Sequence, residues 1–326
     1  MKPKAHFRTG IAILVSVAAS NFAGACAADD YPTKPIRMIV GFAPGGGTDL
    51  TARPVAQKMS ELMGQQVIVE NRPGAAGNIA TEQVARAAAD GYTILMGTIA
   101  ALAINPSLYG NLKFDPETDL APVIQVVDAT NVLALHPSVQ AGSVQELIAL
   151  ARQKSLSAGS SGIGATGHLA IELFNLMAGV KLVHVPYKGG GPAMTDLVGG
   201  QVQLVFATTA SAIPQIRAGR IKGIAVTTAR RSALMPELPT LSEAGLTGFD
   251  ANNWYGIVVP ARTPRAIIDQ LNAEVTKILN MPEVRATLFN QGLDPAPGTP
   301  EQFGAYIKSE RIKWARVIKE SGAKAE

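Results

Sequence analysis

Four glycine-rich turns, each standing between an apolar run and a helical pattern, constrain the fold of this chain more than any other feature. They are Phe42-Ala43-Pro44-Gly45-Gly46-Gly47-Thr48-Asp49, Asn71-Arg72-Pro73-Gly74-Ala75-Ala76-Gly77-Asn78, Ser160-Ser161-Gly162-Ile163-Gly164-Ala165-Thr166-Gly167 and Tyr187-Lys188-Gly189-Gly190-Gly191-Pro192. The runs before them read as short strands, the one before the third loop serine-rich, and the residues after them read as helices. A chain that alternates in this way builds parallel sheets with right-handed crossovers.

The alternation falls into two blocks. In the first, strands are expected at 36–42, 67–69 and 92–96, with helices over 48–63 and 79–89. Gly64 stops the first helix in the usual way, whereas Pro54 inside it should cost stability or kink it. In the second block, helices are expected at 143–153, 166–178, 192–198 and 211–217. Ser143 and Glu146 form a capping box at the start of the first of these. Strands are expected near 156–159, 182–185, 202–206 and 222–226. Two extended stretches, Val123 to Leu135 and Trp254 to Val259, belong to neither rhythm and read as paired strands crossing between blocks. The tail reads as helices over 264–279, 282–290 and 300–320 with no strand between them. The last places Phe303, Ile307, Trp314, Val317 and Ile318 on one face, interrupted by Glu310 and Arg311. Such helices need a sheet to cover, so the tail should return to the first block. The fold class expected is α/β, with two domains, each a mostly parallel sheet flanked by helices, joined by two crossing strands. Domain 1 would comprise residues 28–128 and 256–326, and domain 2 residues 129–255.

Composition narrows the setting. Hydrophobic residues make up 47% of the 326 and charged residues 17%, which suits a packed core and argues against disorder. The net charge of +4 is partly carried by Lys2, Lys4 and Arg8, and aromatics are only 5%. No basic cluster with interleaved aromatics is present, so nucleic acid is not an expected partner. Basic residues at the start, an apolar run beginning Ile11-Ala12-Ile13-Leu14-Val15 and the small residues Ala25-Cys26-Ala27 have the layout of an export signal over residues 1–27. A retained anchor is the alternative, although Ser16, Ser20 and Asn21 break the apolar run. Cleavage after Ala27 removes Cys26, the only cysteine, leaving no disulfide or thiolate site. Ala23-Gly24-Ala25-Cys26 also loosely resembles a lipobox, in which Cys26 would carry a lipid.

The chemistry lies in the loops. Glycine lets backbone N–H groups approach a ligand, and the helix that follows adds about half a positive charge at its start. Each loop is an anion site that needs no Lys or Arg. Any one of them could equally be a tight turn. Repetition at equivalent strand ends in both blocks points instead to a crevice for a carboxylate. Enzymatic readings fit less well. Gly162-Ile163-Gly164-Ala165-Thr166-Gly167 matches the dinucleotide fingerprint G-x-G-x-x-G, but the next strand ends His184-Val185-Pro186-Tyr187, without the acidic residue that would hold a ribose. Gly45-Gly46-Gly47-Thr48 lacks the lysine of a P-loop. Gly159-Ser160-Ser161-Gly162 is not a nucleophile elbow. His136, His168 and His184 lie at no metal-ligand spacing, and His184 and His168 read as a core or rim residue and a helix-start residue. Asp49 reads as a cap for its helix. Binding without catalysis, cofactor or metal is expected, with an NAD-dependent oxidoreductase as the rival.

Pro32-x-x-Pro35-Ile36, Phe42 to Asp49, Val69-Glu70-Asn71-Arg72-Pro73-Gly74, Asp90-Gly91-Tyr92-Thr93, Val185-Pro186-Tyr187-Lys188-Gly189 and Trp314-x-x-Val317-Ile318 together resemble the Bug or TctC family, the substrate-binding proteins of tripartite tricarboxylate transporters. The resemblance spans the chain beyond the signal. It implies a periplasmic binding protein of flytrap form that holds amino acids, citrate-like acids, aromatic acids or nicotinate-like compounds through backbone amides, small hydroxyls and water. It also implies delivery to membrane transporter components, and a monomer is expected. A receptor that hands its bound state to a signalling partner remains the alternative. Matched to the family's loops, the ligand-binding residues are Phe42, Ala43, Pro44, Gly45, Gly46, Gly47, Thr48, Asp49, Gly77, Asn78 and Thr98 from the first domain. The second contributes Ser160, Ser161, Gly164, Thr166, Gly167 and Thr208. Within that set Gly45 to Gly47 would donate amides and Asp49 would fix the loop. Hydroxyls would come from Thr48, Ser160, Ser161, Thr166 and Thr208, and an apolar surface from Phe42.

Overall fold

The computed structural model describes Met1 and residues 31–325; apart from Met1, the expected signal over residues 1–27, with its Cys26 alternative, lies outside them. Pro32–Glu326 forms one structural unit, within which two sheets carry the fold. In chain order the strands are β1 (Ile36–Val40), β2 (Val67–Asn71), β3 (Thr93–Thr98), β4 (Leu120–Ala129), β5 (Asn131–Leu135), β6 (Ser157–Ser160), β7 (Val183–Pro186), β8 (Leu204–Thr208), β9 (Lys222–Val226), β10 (Asn253–Pro260) and β11 (Leu293–Pro295). The helices are α1 (Gly47–Met63), α2 (Asn78–Ala85), α3 (Asn105–Leu108), α4 (Val144–Gln153), α5 (Thr166–Ala178), α6 (Gly190–Val198), α7 (Thr209–Arg217), α8 (Arg265–Asn280), α9 (Pro282–Asn290) and α10 (Pro300–Ser321).

The first sheet has the order β11-β4-β10-β3-β1-β2 and the second β7-β6-β8-β5-β9. β2, β1 and β3 run parallel, as do β7, β6 and β8. β1, β3, β6 and β8 are largely buried, as parallel strands inside a sheet require, whereas β2 and β7 are edge strands with partly exposed faces. β10 is antiparallel to β3 and β4, and β5 is antiparallel to β8 and β9. The stretch Val123 to Leu135 breaks at Thr130. Up to Ala129 it pairs with β10 in the first sheet, and from Asn131 it belongs to the second. The return crossing precedes Asn253, which pairs with Ala129, so both crossings lie at the same end of one ladder. The buried Thr227 hydroxyl ties them together by donating to Ala251 O at 3.0 Å and to Asn131 O at 3.3 Å.

α1 runs through Pro54 to Met63; the missing N–H costs one internal bond, and burial of Val55, Ala56 and Met59 holds the next turns in place. Two expectations need correction. The tail does contain a strand: β11 pairs antiparallel with β4 as Leu293↔Ala129 to Pro295↔Val127. Three residues leave too little pattern to read, and the hydrogen bonds of the β4 edge recruit them. Glu310 does not interrupt the buried face of α10. It is itself buried, and its Oε2 accepts the indole N–H of Trp254 at 3.4 Å and of Trp314 at 3.2 Å. Among the described residues no helix is long and apolar enough to cross a membrane.

Candidate functional site

The first loop, after β1, is braced from below by Asp49. Its carboxylate accepts the Gly45 amide at 3.0 Å, two bonds from Arg53 at 2.8 and 3.0 Å, and Asn71 Nδ2 at 3.0 Å. Burial works to raise the Asp49 pKa, but these donors outweigh it and hold the group below the ordinary carboxylate range. A carboxylate so engaged is a fixed brace and a poor base. The N-cap of α1 is Gly46, so Asp49 does not cap the helix as expected; from the first turn it reaches back to the residue before the cap.

The second loop holds two consecutive non-glycine residues at positive φ, Ala75 at 45° and Ala76 at 49°. Left-handed alanine costs about 1–2 kcal/mol. Ala76 is held there by packing in a small apolar cluster with Phe42, Ala100 and Ala165. The third loop is pinned by two stacked histidines, His168 and His184, with ring centroids 4.3 Å apart. His168 Nδ1 accepts the Gly164 amide at 3.1 Å. His184 Nε2 shares a 2.6 Å hydrogen bond with Ser160 Oγ, which also accepts the Gly162 amide at 3.1 Å. Burial lowers both histidines to about 4, with the neighbouring ring adding to the effect on His184. At neutral pH they are uncharged loop braces.

The loops of the two sheets meet. Ala43 N donates to Lys188 O at 3.0 Å, and Tyr109 Oη donates to Ile163 O at 2.8 Å. A Cβ on Gly189 would stand 2.7 Å from Ala43 N, one on Gly46 would stand 3.2 Å from Gly190 N, and one on Gly191 would collide with Pro44 O. Only glycine allows backbone to pass this close to backbone.

Between the loops lies a cavity of about 540 Å³, counted with the open space at its mouth. Four helix starts surround it: Gly46 and Gly47 of α1, Ala165 and Thr166 of α5, Gly190 of α6, and Thr208, the N-cap of α7. The first amides of a helix have no acceptor within it and carry the positive end of its dipole. None of the lining residues is Asp, Glu, Lys, Arg or His.

Of the residues singled out from the sequence, Phe42, Gly46, Gly47, Thr48 and Thr98 line this cavity from the first sheet's side, and Ser161, Thr166, Gly167 and Thr208 from the second's. The others stand behind the wall. The amides of Ala43 and Gly45 are already bonded, to Lys188 O and Asp49. Pro44 and Gly45 face an outer groove with Gly191 and Pro192. Gly77 lies under the Phe42 ring, Asn78 Oδ1 accepts Asn105 Nδ2 at 2.7 Å, and Gly164 abuts Asn105 Oδ1. Ser160 is buried as a loop brace and lies outside the cavity lining.

The sequence reading missed Asn131, Asn253 and Tyr255 on the floor, all at the crossings. Asn253 Nδ2 donates to Tyr255 Oη at 3.0 Å, and burial pushes the Tyr255 hydroxyl pKa far above its ordinary value. Asn131 Nδ2, Asn131 Oδ1 and Thr98 Oγ1 are buried without a hydrogen-bond partner. The available signal was Asn131 itself, the single polar residue opening an otherwise apolar strand.

Two sheets meeting across a cleft, with the chain crossing twice between them, define a binding-protein clamp, and solved structures agree. A Rhodopseudomonas palustris protein, Rpa4515, solved with adipate, superposes with a TM-score of 0.88 at 38% identity over 90% of this chain and 99% of its own. MatC of the same organism, solved with bound malate, gives 0.85 at 30% identity over 88% of this chain and 100% of its own. In sequence the chain is 37% identical to protein BugT of Bordetella pertussis over 313 residues, covering 95% of this chain and 96% of the relative. Residues 51–323 match the tripartite tricarboxylate transporter family receptor, TctC. The chain belongs to this family of periplasmic solute-binding receptors.

Proposed function

We propose that this chain is an exported receptor that captures a small carboxylate in the periplasm and presents it to the membrane components of a tripartite tricarboxylate-type transporter. It acts as a monomer and performs no chemistry on its ligand. One observation carries the reading: four helix starts from two opposed sheets converge on one small cavity whose lining has no charged side chain. Amide dipoles of fixed direction, shielded from water, stabilise an anion without a neighbouring cation. Nine of the residues carried over from the family, Thr48 and Ser161 among them, supply the first contacts, and the eight behind them fix the loops. The solved relatives that hold adipate and malate support the carboxylate class. The two lobes, residues 28–128 with 256–326 and residues 129–255, close on the ligand about the crossings at Thr130 and ahead of Asn253. Residues 1–27 direct export.

A thermal-shift screen over mono-, di- and tricarboxylates tests this. A cognate acid at about 100 times its dissociation constant adds about 2.7 kcal/mol to stability. The same screen on Thr48→Ala and Ser161→Ala should give weaker shifts from proteins that remain folded without ligand. A screen without a single stabilising acid would defeat the proposal.

A further inference from the structure

Asn131 sits where the chain first enters the second sheet, 1% exposed, with its side chain on the cavity floor. Its backbone is committed, since Asn131 O accepts Thr227 N at 3.0 Å. Its side chain is not: both Nδ2 and Oδ1 are buried without a partner. Flipping the amide exchanges the two atoms and leaves the requirement the same, one acceptor and one donor. Thr98, 4% exposed on the other sheet, lines the same cavity with its Oγ1 also unpartnered.

Buried polar groups left unpaired are costly, so the occupant of the cavity should satisfy them. A carboxylate can accept from Asn131 Nδ2 and from the Thr98 hydroxyl. It cannot satisfy Asn131 Oδ1, which needs a donor. An ammonium group would bring one, but the four helix starts that favour an anion disfavour a cation beside it, and no acidic side chain lines the cavity to offset them. A neutral hydroxyl both donates and accepts and needs no counter-charge. Asn131 and Thr98 line the same small cavity as the helix starts, which keeps that hydroxyl within a few bonds of the carboxylate.

We infer that Asn131 is a specificity-determining residue that reads a hydroxyl close to the carboxylate, so that the receptor selects hydroxycarboxylates over the matching plain acids. The inference rests on the carboxylate reading of this cavity and narrows it. Titration calorimetry on the ligand-free protein with matched pairs tests it, using lactate against propionate and malate against succinate. In at least one pair the hydroxy acid should bind on the order of 10-fold to 100-fold more tightly, the cost of leaving Asn131 Oδ1 unpaired. Asn131→Leu, similar in shape, should bring the two members to within about threefold of each other. Thr98→Val, which removes a donor to the shared carboxylate, should weaken both members and keep their ratio. Equal affinities within every pair in the unsubstituted protein would overturn the inference while leaving the carboxylate receptor intact, because a trapped water would then be serving Asn131. A ratio that survives Asn131→Leu would overturn it as well. Failure of every acid to bind would overturn the carboxylate reading and this inference with it.

Discussion

At the scale of single residues, the candidate site works by keeping ionised side chains out of the cavity. Asp49 is neutralised by Arg53 and spent on the Gly45 amide, and the two buried histidines are held uncharged. This has a consequence for pH. A histidine whose folded pKa is depressed from 6.5 to about 4 stays neutral in the native state, while the unfolded chain takes up a proton below 6.5. Stability is therefore lost as pH falls from 6.5 towards 4, by up to about 1.4 kcal/mol per pH unit for each fully buried group. His184 contributes less because it is partly exposed. Asp128 works in the opposite direction: burial, together with Asp294 and Glu310, raises it to about 6 against the pull of Gln125, so it favours the folded state as pH falls through the same window. The measurement that isolates the histidines is a comparison. Urea midpoints between pH 7 and pH 4.5 should fall less steeply for His184→Gln than for the unsubstituted protein. Parallel pH profiles would show that the stacked pair is not responsible.

At the scale of elements, the loops divide into two kinds. The first, third and fourth present helix starts to the cavity, and the fourth also packs against the first, so that their close approach depends on glycine. Gly191 lies inside α6 without a positive φ, and alanine there should favour the isolated helix by up to about 1 kcal/mol. Its Cβ would nevertheless collide with Pro44 O across the cleft. Gly191→Ala should therefore bind its acid at least roughly tenfold more weakly, the loss expected from strain of about 1.4 kcal/mol at this loop contact. Unchanged affinity would mean that the loop contact plays no part in binding. The elements also show what was legible in advance. Apolar runs and glycine stops place β1 to β3 and α4 to α9 closely, because their period and punctuation are local. The turns over 100–108, including one π turn, carry no such pattern: Ala100 to Ile104 is apolar throughout and buried on all sides. The loops could be read as anion sites, but which residues of each loop face the cavity could not. That depends on bonds such as Ala43 N to Lys188 O, formed only when distant segments meet. Asn131 escaped notice for the same reason, since its position at a crossing has meaning only once both sheets exist.

At the scale of the whole molecule, the fold places two families of helix starts face to face and lets the chain pass between them at one end of a single ladder. Neither sheet alone encloses the cavity, because Gly47 and Thr98 come from one and Thr166 and Thr208 from the other. On the proposed reading, selectivity for anions and lobe closure are one event, with the acid supplying the charge that the converging dipoles lack. The most direct test is a crystal structure of the protein with its tightest-binding carboxylate. The carboxylate oxygens should lie about 3 Å from amides of both lobes, at the starts of α1 and α5, with no Lys or Arg in contact. An acid bound outside this cavity, held by one lobe alone or paired with a basic side chain, would contradict the account.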